Sequence, residues 1–124
     1  MEEQGSFGFY IGVTYAMLGE NGRALQKLLA LDPPPWEDYF TDWVLLTGQL
    51  LMESLSYERA VQIFQRYLQE SPAGPSAQTV WYLTALSQRE EGHRDAAADS
   101  FRRAYRLDPN SELGRKIASE ESVR

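Results

Sequence analysis

The apolar positions of this chain recur at helical spacing in seven short blocks separated by turn residues. Phe7 to Leu18 is the first block, and it stops at Gly19, a natural helix C-cap. After the turn Gly19-Glu-Asn-Gly22, Arg23 to Leu31 predicts a short second helix. Asp32-Pro-Pro-Pro35 ends it, because proline cannot continue a helix and restricts the residue before it. Pro35 or its neighbour can open the third helix, from Trp36 to about Ser54, with Trp43, Leu46, Leu50 and Leu51 at helical spacing. Ser56 is placed to cap a helix from Tyr57 to Glu70, whose stripe is Tyr57, Ala60, Val61, Phe64, Tyr67 and Leu68. Ser71-Pro-Ala-Gly-Pro75 is the clearest break. Ser76 then heads Ala77 to Glu90, and Gly92 turns the chain. Asp95 heads Ala96 to Leu107, and Ser111 heads a last helix from Glu112 to about Glu120. No period-two run predicts a strand, so the expected class is all-α.

The blocks echo one another. Gly12, Gly48 and Ala85 are 36 and 37 residues apart, and so are Ala24, Ala60 and Ala97. A period in this range, built from paired helices, predicts a stacked array of helix hairpins. Small residues at these positions let the two helices of a hairpin approach closely. One hairpin cannot bury its apolar face alone, so three hairpins would share one core. The polar segment from Ser111 would close it, with Ile117 as its contact.

The third unit carries Trp81, Ala85, Gly92, Ala97, Phe101, Ala104 and Pro109. The second carries Gly48, Tyr57, Ala60, Phe64 and Pro72, and the first Ile11, Gly12, Tyr15, Ala24 and Leu28. These anchors resemble the tetratricopeptide repeat, a helix–turn–helix unit of roughly 34 residues. Thr84 and Gln88 depart from its pattern, Val44 stands where the second unit would have Trp, and Pro33 cuts the first unit short. The resemblance implies a right-handed superhelix of three repeats, about 5–38, 41–74 and 78–111. A capping helix over 112–120 would follow, the whole forming a single domain, 1–124.

The resemblance also implies that the first helix of each repeat lines a concave groove. Its positions fall on Phe9, Tyr10, Val13 and Met17, on Leu45, Leu46, Gln49 and Met52, and on Tyr82, Leu86 and Arg89. The apolar members would supply burial, and Gln49 and Arg89 would fix orientation by hydrogen bonds. The implied function is non-catalytic protein recognition, as a scaffold or adaptor for an apolar peptide or an amphipathic helix. Self-association as a structural module of a larger protein stays open, as does a secretion-chaperone role or ordinary core packing of these residues. The family's carboxylate clamp of Lys, Arg and Asn is excluded, because its positions hold Phe9, Val13, Leu46, Thr79 and Leu83.

Charge narrows the partners. Eighteen Asp and Glu against 12 Lys and Arg give a net charge of −6. That disfavours nucleic acid, which requires a basic face, and anionic membrane surfaces. The stripe Arg102, Arg103 and Arg106 is too small to reverse this. The chain has no cysteine and one histidine, His93, in the turn Glu91-Gly-His-Arg94. No metal, cofactor or catalytic constellation is therefore expected. Asp95 and Asp99 read as a salted outer face, given Arg102 and Arg103 beside them. Trp36, Trp43 and Trp81 read as core and loop anchors. The apolar stretch from Phe7 to Leu18 is too short to span a bilayer. A cytoplasmic location follows, or a periplasmic one if the chain is a piece of a longer protein.

Overall fold

A computed structural model describes residues 2–121, with side chains from 5 to 121. Residues 1 and 122–124 of the expected single domain lie outside that range. The described residues form seven α-helices: α1 (Glu2–Met17), α2 (Asn21–Leu29), α3 (Phe40–Glu53), α4 (Tyr57–Glu70), α5 (Ala77–Glu90), α6 (Arg94–Leu107) and α7 (Glu112–Glu121). Each helix packs on its neighbours in sequence, and α3 also touches α5. The result is the all-α array of three helix–turn–helix repeats that the periodicity predicts, with α7 against its last face.

The small residues do what their spacing predicts. A Cβ at Gly12 would sit 2.6 Å from Leu28 Cδ2, and one at Gly48 would run into the Phe64 ring. Ala85, the third of that row, is buried, and so are Ala24, Ala60 and Ala97 of the partner helices. The core is a strip along the array. Leu28, Trp43, Phe64 and Val80 fill its first part, and Ala85, Phe101, Ala104 and Ile117 fill the end beneath α7.

Each helix pair turns in the same way. Gly19 and Gly92 take φ of +79° and +84° after α1 and α5, in the left-handed region that favours glycine. The residue after each bonds back into the helix, Glu20 N to Tyr15 O at 2.9 Å and His93 N to Gln88 O at 2.9 Å. These are C-terminal caps with a left-handed residue that satisfy otherwise orphaned carbonyls. The α3–α4 turn makes the same bond, Ser56 N to Leu51 O at 2.8 Å, but Leu55 holds the left-handed position, with φ of +62°.

Some boundaries differ from expectation. α3 starts at Phe40, not Trp36. Two successive turns fill the gap, closed by Glu37 N to Pro34 O at 3.2 Å and Phe40 N to Glu37 O at 3.0 Å. Trp36 lies in them, 81% exposed, and anchors nothing. α1 begins earlier than Phe7, and α2 ends at Leu29 rather than Leu31. α6 begins at Arg94, so His93 holds the cap position in place of Asp95. Ser56 and Ser76 hold cap positions without making the side-chain bond. Ser111 does make it, accepting from Gly114 N at 2.9 Å.

Two polar clusters fasten the inter-repeat joints. The buried Trp43 indole donates from Nε1 to Leu28 O at 2.7 Å, tying α3 to the end of α2. Arg66 of α4 reaches the same joint. It donates to Asp32 Oδ1 at 2.8 Å and Pro33 O at 2.7 Å, and its guanidinium lies 5.0 Å from the Trp43 ring. At the far end, Gln78 Nε2 donates to Ala104 O and Asp108 O, both at 2.9 Å, and Gln78 Oε1 accepts from Ser111 Oγ at 2.8 Å. One side chain thus joins the starts of α5 and α7 to the end of α6.

Candidate recognition surface

The first helices α1, α3 and α5 carry side chains at matching positions, 36 and 37 residues apart. Val13, Gln49 and Leu86 occupy one such row. Phe9, Leu45 and Tyr82 form a second, and Ala16, Met52 and Arg89 a third. Two helical turns of spacing place these rows on one face of each helix. Val13, Ala16, Leu45, Met52, Tyr82 and Leu86 are half-buried, each with its base against the core. Gln49 and Arg89 are exposed among them. The surface is apolar at its middle and polar at points along it, a combination that can both bury a ligand and orient it.

The predicted residues are not all equivalent. Phe9 is buried, with its ring 5.3 Å from that of Tyr39 in a stacked arrangement. It supports the face from below. Burial raises the Tyr39 phenol above its ordinary pKa, and the nearby Glu37 charge adds to the shift. Met17 stands at the end of α1, highly exposed. Leu46 is half-buried against the core. Tyr10 lies elsewhere. It borders a depression of about 440 Å³ with Phe7, Ile11, Thr14 and Tyr15, all on α1.

Arg89 already has partners. Its guanidinium meets Glu121 Oε2 of α7 at 2.8 Å and lies 5.5 Å from the Phe101 ring. Lys116 of α7 holds its ammonium 5.6 Å from the Tyr82 ring. The sequence reading did not include these two α7 residues in the surface. A signal for them existed: α7 follows α6 as α3 follows α2, so it takes the place of a fourth first helix and borders α5.

Other singled-out residues sit apart from this face. Asp99 pairs with Arg103 at 2.9 Å on the outside of α6, and Arg103 in turn lies 5.1 Å from the Trp81 ring. His93 is exposed beside a separate depression of about 340 Å³ that includes Glu58, Gln88 and Glu91. Among the described residues, no group of three His, Cys, Asp or Glu side chains could hold a metal ion. No helix among them is long and apolar enough to cross a membrane.

Comparison with known proteins agrees with this architecture. The tetratricopeptide repeat family model matches residues 45–112, more than half of the chain. No curated protein matches it. Among solved structures, MamA 41-end from Desulfovibrio magneticus RS-1 aligns with a TM-score of 0.71 at 18% identity, over 96% of this chain and 67% of that one. The MamA RS-1 ArsTM double mutant aligns with the same TM-score and coverages at 20% identity. At such identities the likeness is one of fold.

Proposed function

The chain belongs to the tetratricopeptide repeat family, and from that premise we propose that it is a non-catalytic recognition module whose inner face holds an apolar segment of another protein. Stacked helical repeats present extended concave surfaces to partners. The observation that carries the reading is the set Val13, Leu45, Met52, Tyr82 and Leu86, half-buried on the matching faces of three successive first helices. Completing the burial of one such side chain contributes up to roughly 1.5–3 kcal/mol, so several together outweigh the cost of ordering a short helix. Gln49 supplies a hydrogen bond to the ligand's backbone or a polar side chain. Arg89 supplies a charge, provided that the ligand's carboxylate displaces Glu121. The same reading treats the chain as one domain with repeats near 5–38, 41–74 and 78–111, since the core strip continues across each joint.

A paired pull-down tests it. The wild-type chain and a Met52→Glu/Leu86→Glu variant serve as baits in lysate of the source organism, after circular dichroism shows equal helicity. The expected result is a protein held by the wild type and lost by the variant. Recovery of the same proteins by both baits would move recognition off this face.

A further inference from the structure

Among the described residues, α1 lacks a neighbour that α3 and α5 both have. On α3 the positions Trp43, Thr47 and Leu50 are buried, and Trp43 bonds to the end of α2. On α5 the matching positions Val80, Thr84 and Ser87 are buried, with α4 packed on that helix. The corresponding residues of α1 are Phe7, Ile11 and Thr14, with Tyr10 in the row that holds Leu46 and Leu83. Phe7 is 68% exposed and Tyr10 64%, whereas Leu83 is 8% exposed. In the second and third repeats this face is covered by the second helix of the preceding pair. On α1 no other described helix covers it, and it bounds the 440 Å³ depression.

We propose that this face of α1 pairs with the same face of a second copy, antiparallel, to make a closed two-fold dimer. Charge favours a copy here. Each chain carries a net −6, yet no residue from Gly5 to Gly19 is charged, so two acidic molecules can meet over that stretch of α1 without burying a charge. Away from the face read as the recognition surface, the described residues offer a copy nothing better. The second helices α2, α4 and α6 are each packed on both sides. The last helix, α7, turns Glu112, Arg115, Lys116, Ser119 and Glu120 outward. A head-to-tail copy would set that charged helix on Phe7 and Tyr10. A head-to-head copy sets apolar against apolar and uses up both faces, which stops assembly at two. The register is self-matching: a two-fold axis between Tyr10 and Ile11 places Tyr10 of one copy opposite Ile11 of the other, and Phe7 opposite Thr14. Aromatic anchors in an uncharged centre are what protein interfaces enrich. The inner face lies on other positions and stays open in this dimer, so the proposal stands apart from the recognition reading.

Sedimentation velocity tests it, with single-cysteine variants of this cysteine-free chain as the second readout. At about 100 μM, where a micromolar pair is essentially complete, wild type should sediment as a dimer. Phe7→Glu, with an association weaker by about 100-fold or more, should be at least about half dissociated there, with unchanged helicity because Phe7 is exposed. Under mild oxidation Tyr10→Cys should form a disulfide-linked dimer and Lys116→Cys should not. A wild-type chain monomeric at that concentration would overturn the proposal and leave the face to a helix of a different protein. A dimer that survives Phe7→Glu, or equal cross-linking through Lys116→Cys, would overturn it by placing the contact elsewhere.

Discussion

Leu55 shows how much one residue can be asked to tolerate by its place in the array. The turn after each first helix needs a left-handed residue, and Gly19 and Gly92 supply it in the first and third repeats. Leu55 takes the same conformation in the second while its side chain is 72% exposed. A left-handed L-residue costs about 1–2 kcal/mol, and glycine's extra freedom in the unfolded chain takes back part of the relief. Leu55→Gly should therefore stabilise the fold by about 0.5–1 kcal/mol, with Tm rising by a few degrees in a thermal melt. Gly92→Ala should lower it by about 1 kcal/mol, since it imposes the same strain where none now exists. A lower Tm for Leu55→Gly would mean that the leucine side chain contributes contacts that outweigh its backbone strain. The need for a turn here was legible in the period. The non-glycine occupant was not, because Ser54-Leu55-Ser56 carries no glycine or proline to mark it.

At the scale of elements, the segments with clean amphipathic stripes were the legible ones. α4 and α5 run over the residues expected, since Ser56 and Ser76 precede uninterrupted stripes. The start of α3 was misplaced because three consecutive prolines suggest an immediate helix opening. The chain instead makes two turns before Phe40, as it does before Ala77, where Gly74 N bonds to Ser71 O and Ala77 N to Gly74 O. The repeat itself carried that information, for Tyr39 sits 37 residues before Ser76. The matching, half-buried placement of Val13, Leu45, Met52, Tyr82 and Leu86 was legible by the same arithmetic. The exposure of Phe7 and Tyr10 was not, because residue type does not tell whether another helix packs on a position. α7 was legible through Ile117, which is fully buried against Ala85, Phe101 and Ala104. Ile117→Ala should cost roughly 2–4 kcal/mol and loosen α7, speeding amide exchange in α6 more than in α3. Equal acceleration throughout would show that the array unfolds as one unit rather than from its capped end.

At the scale of the whole molecule, the array is a frame with two proposed surfaces: one face of the first helices for another protein and the far side of α1 for a second copy. The frame comes from close helix pairs at Gly12 and Gly48 and from joints fastened by Trp43, Arg66 and Gln78. The inner face is the central claim. Photo-cross-linking in lysate of the source organism tests that claim most directly. A photoreactive residue is placed either at Gln49, exposed on the inner face of α3, or at Gln65, exposed on the outside of α4. Both sites are open to solvent, so neither substitution disturbs the core. The account predicts a discrete protein adduct from Gln49 that is absent from Gln65 and is reduced by added unlabelled wild-type chain. Adducts from Gln65 alone, or the same adducts from both positions, would contradict it.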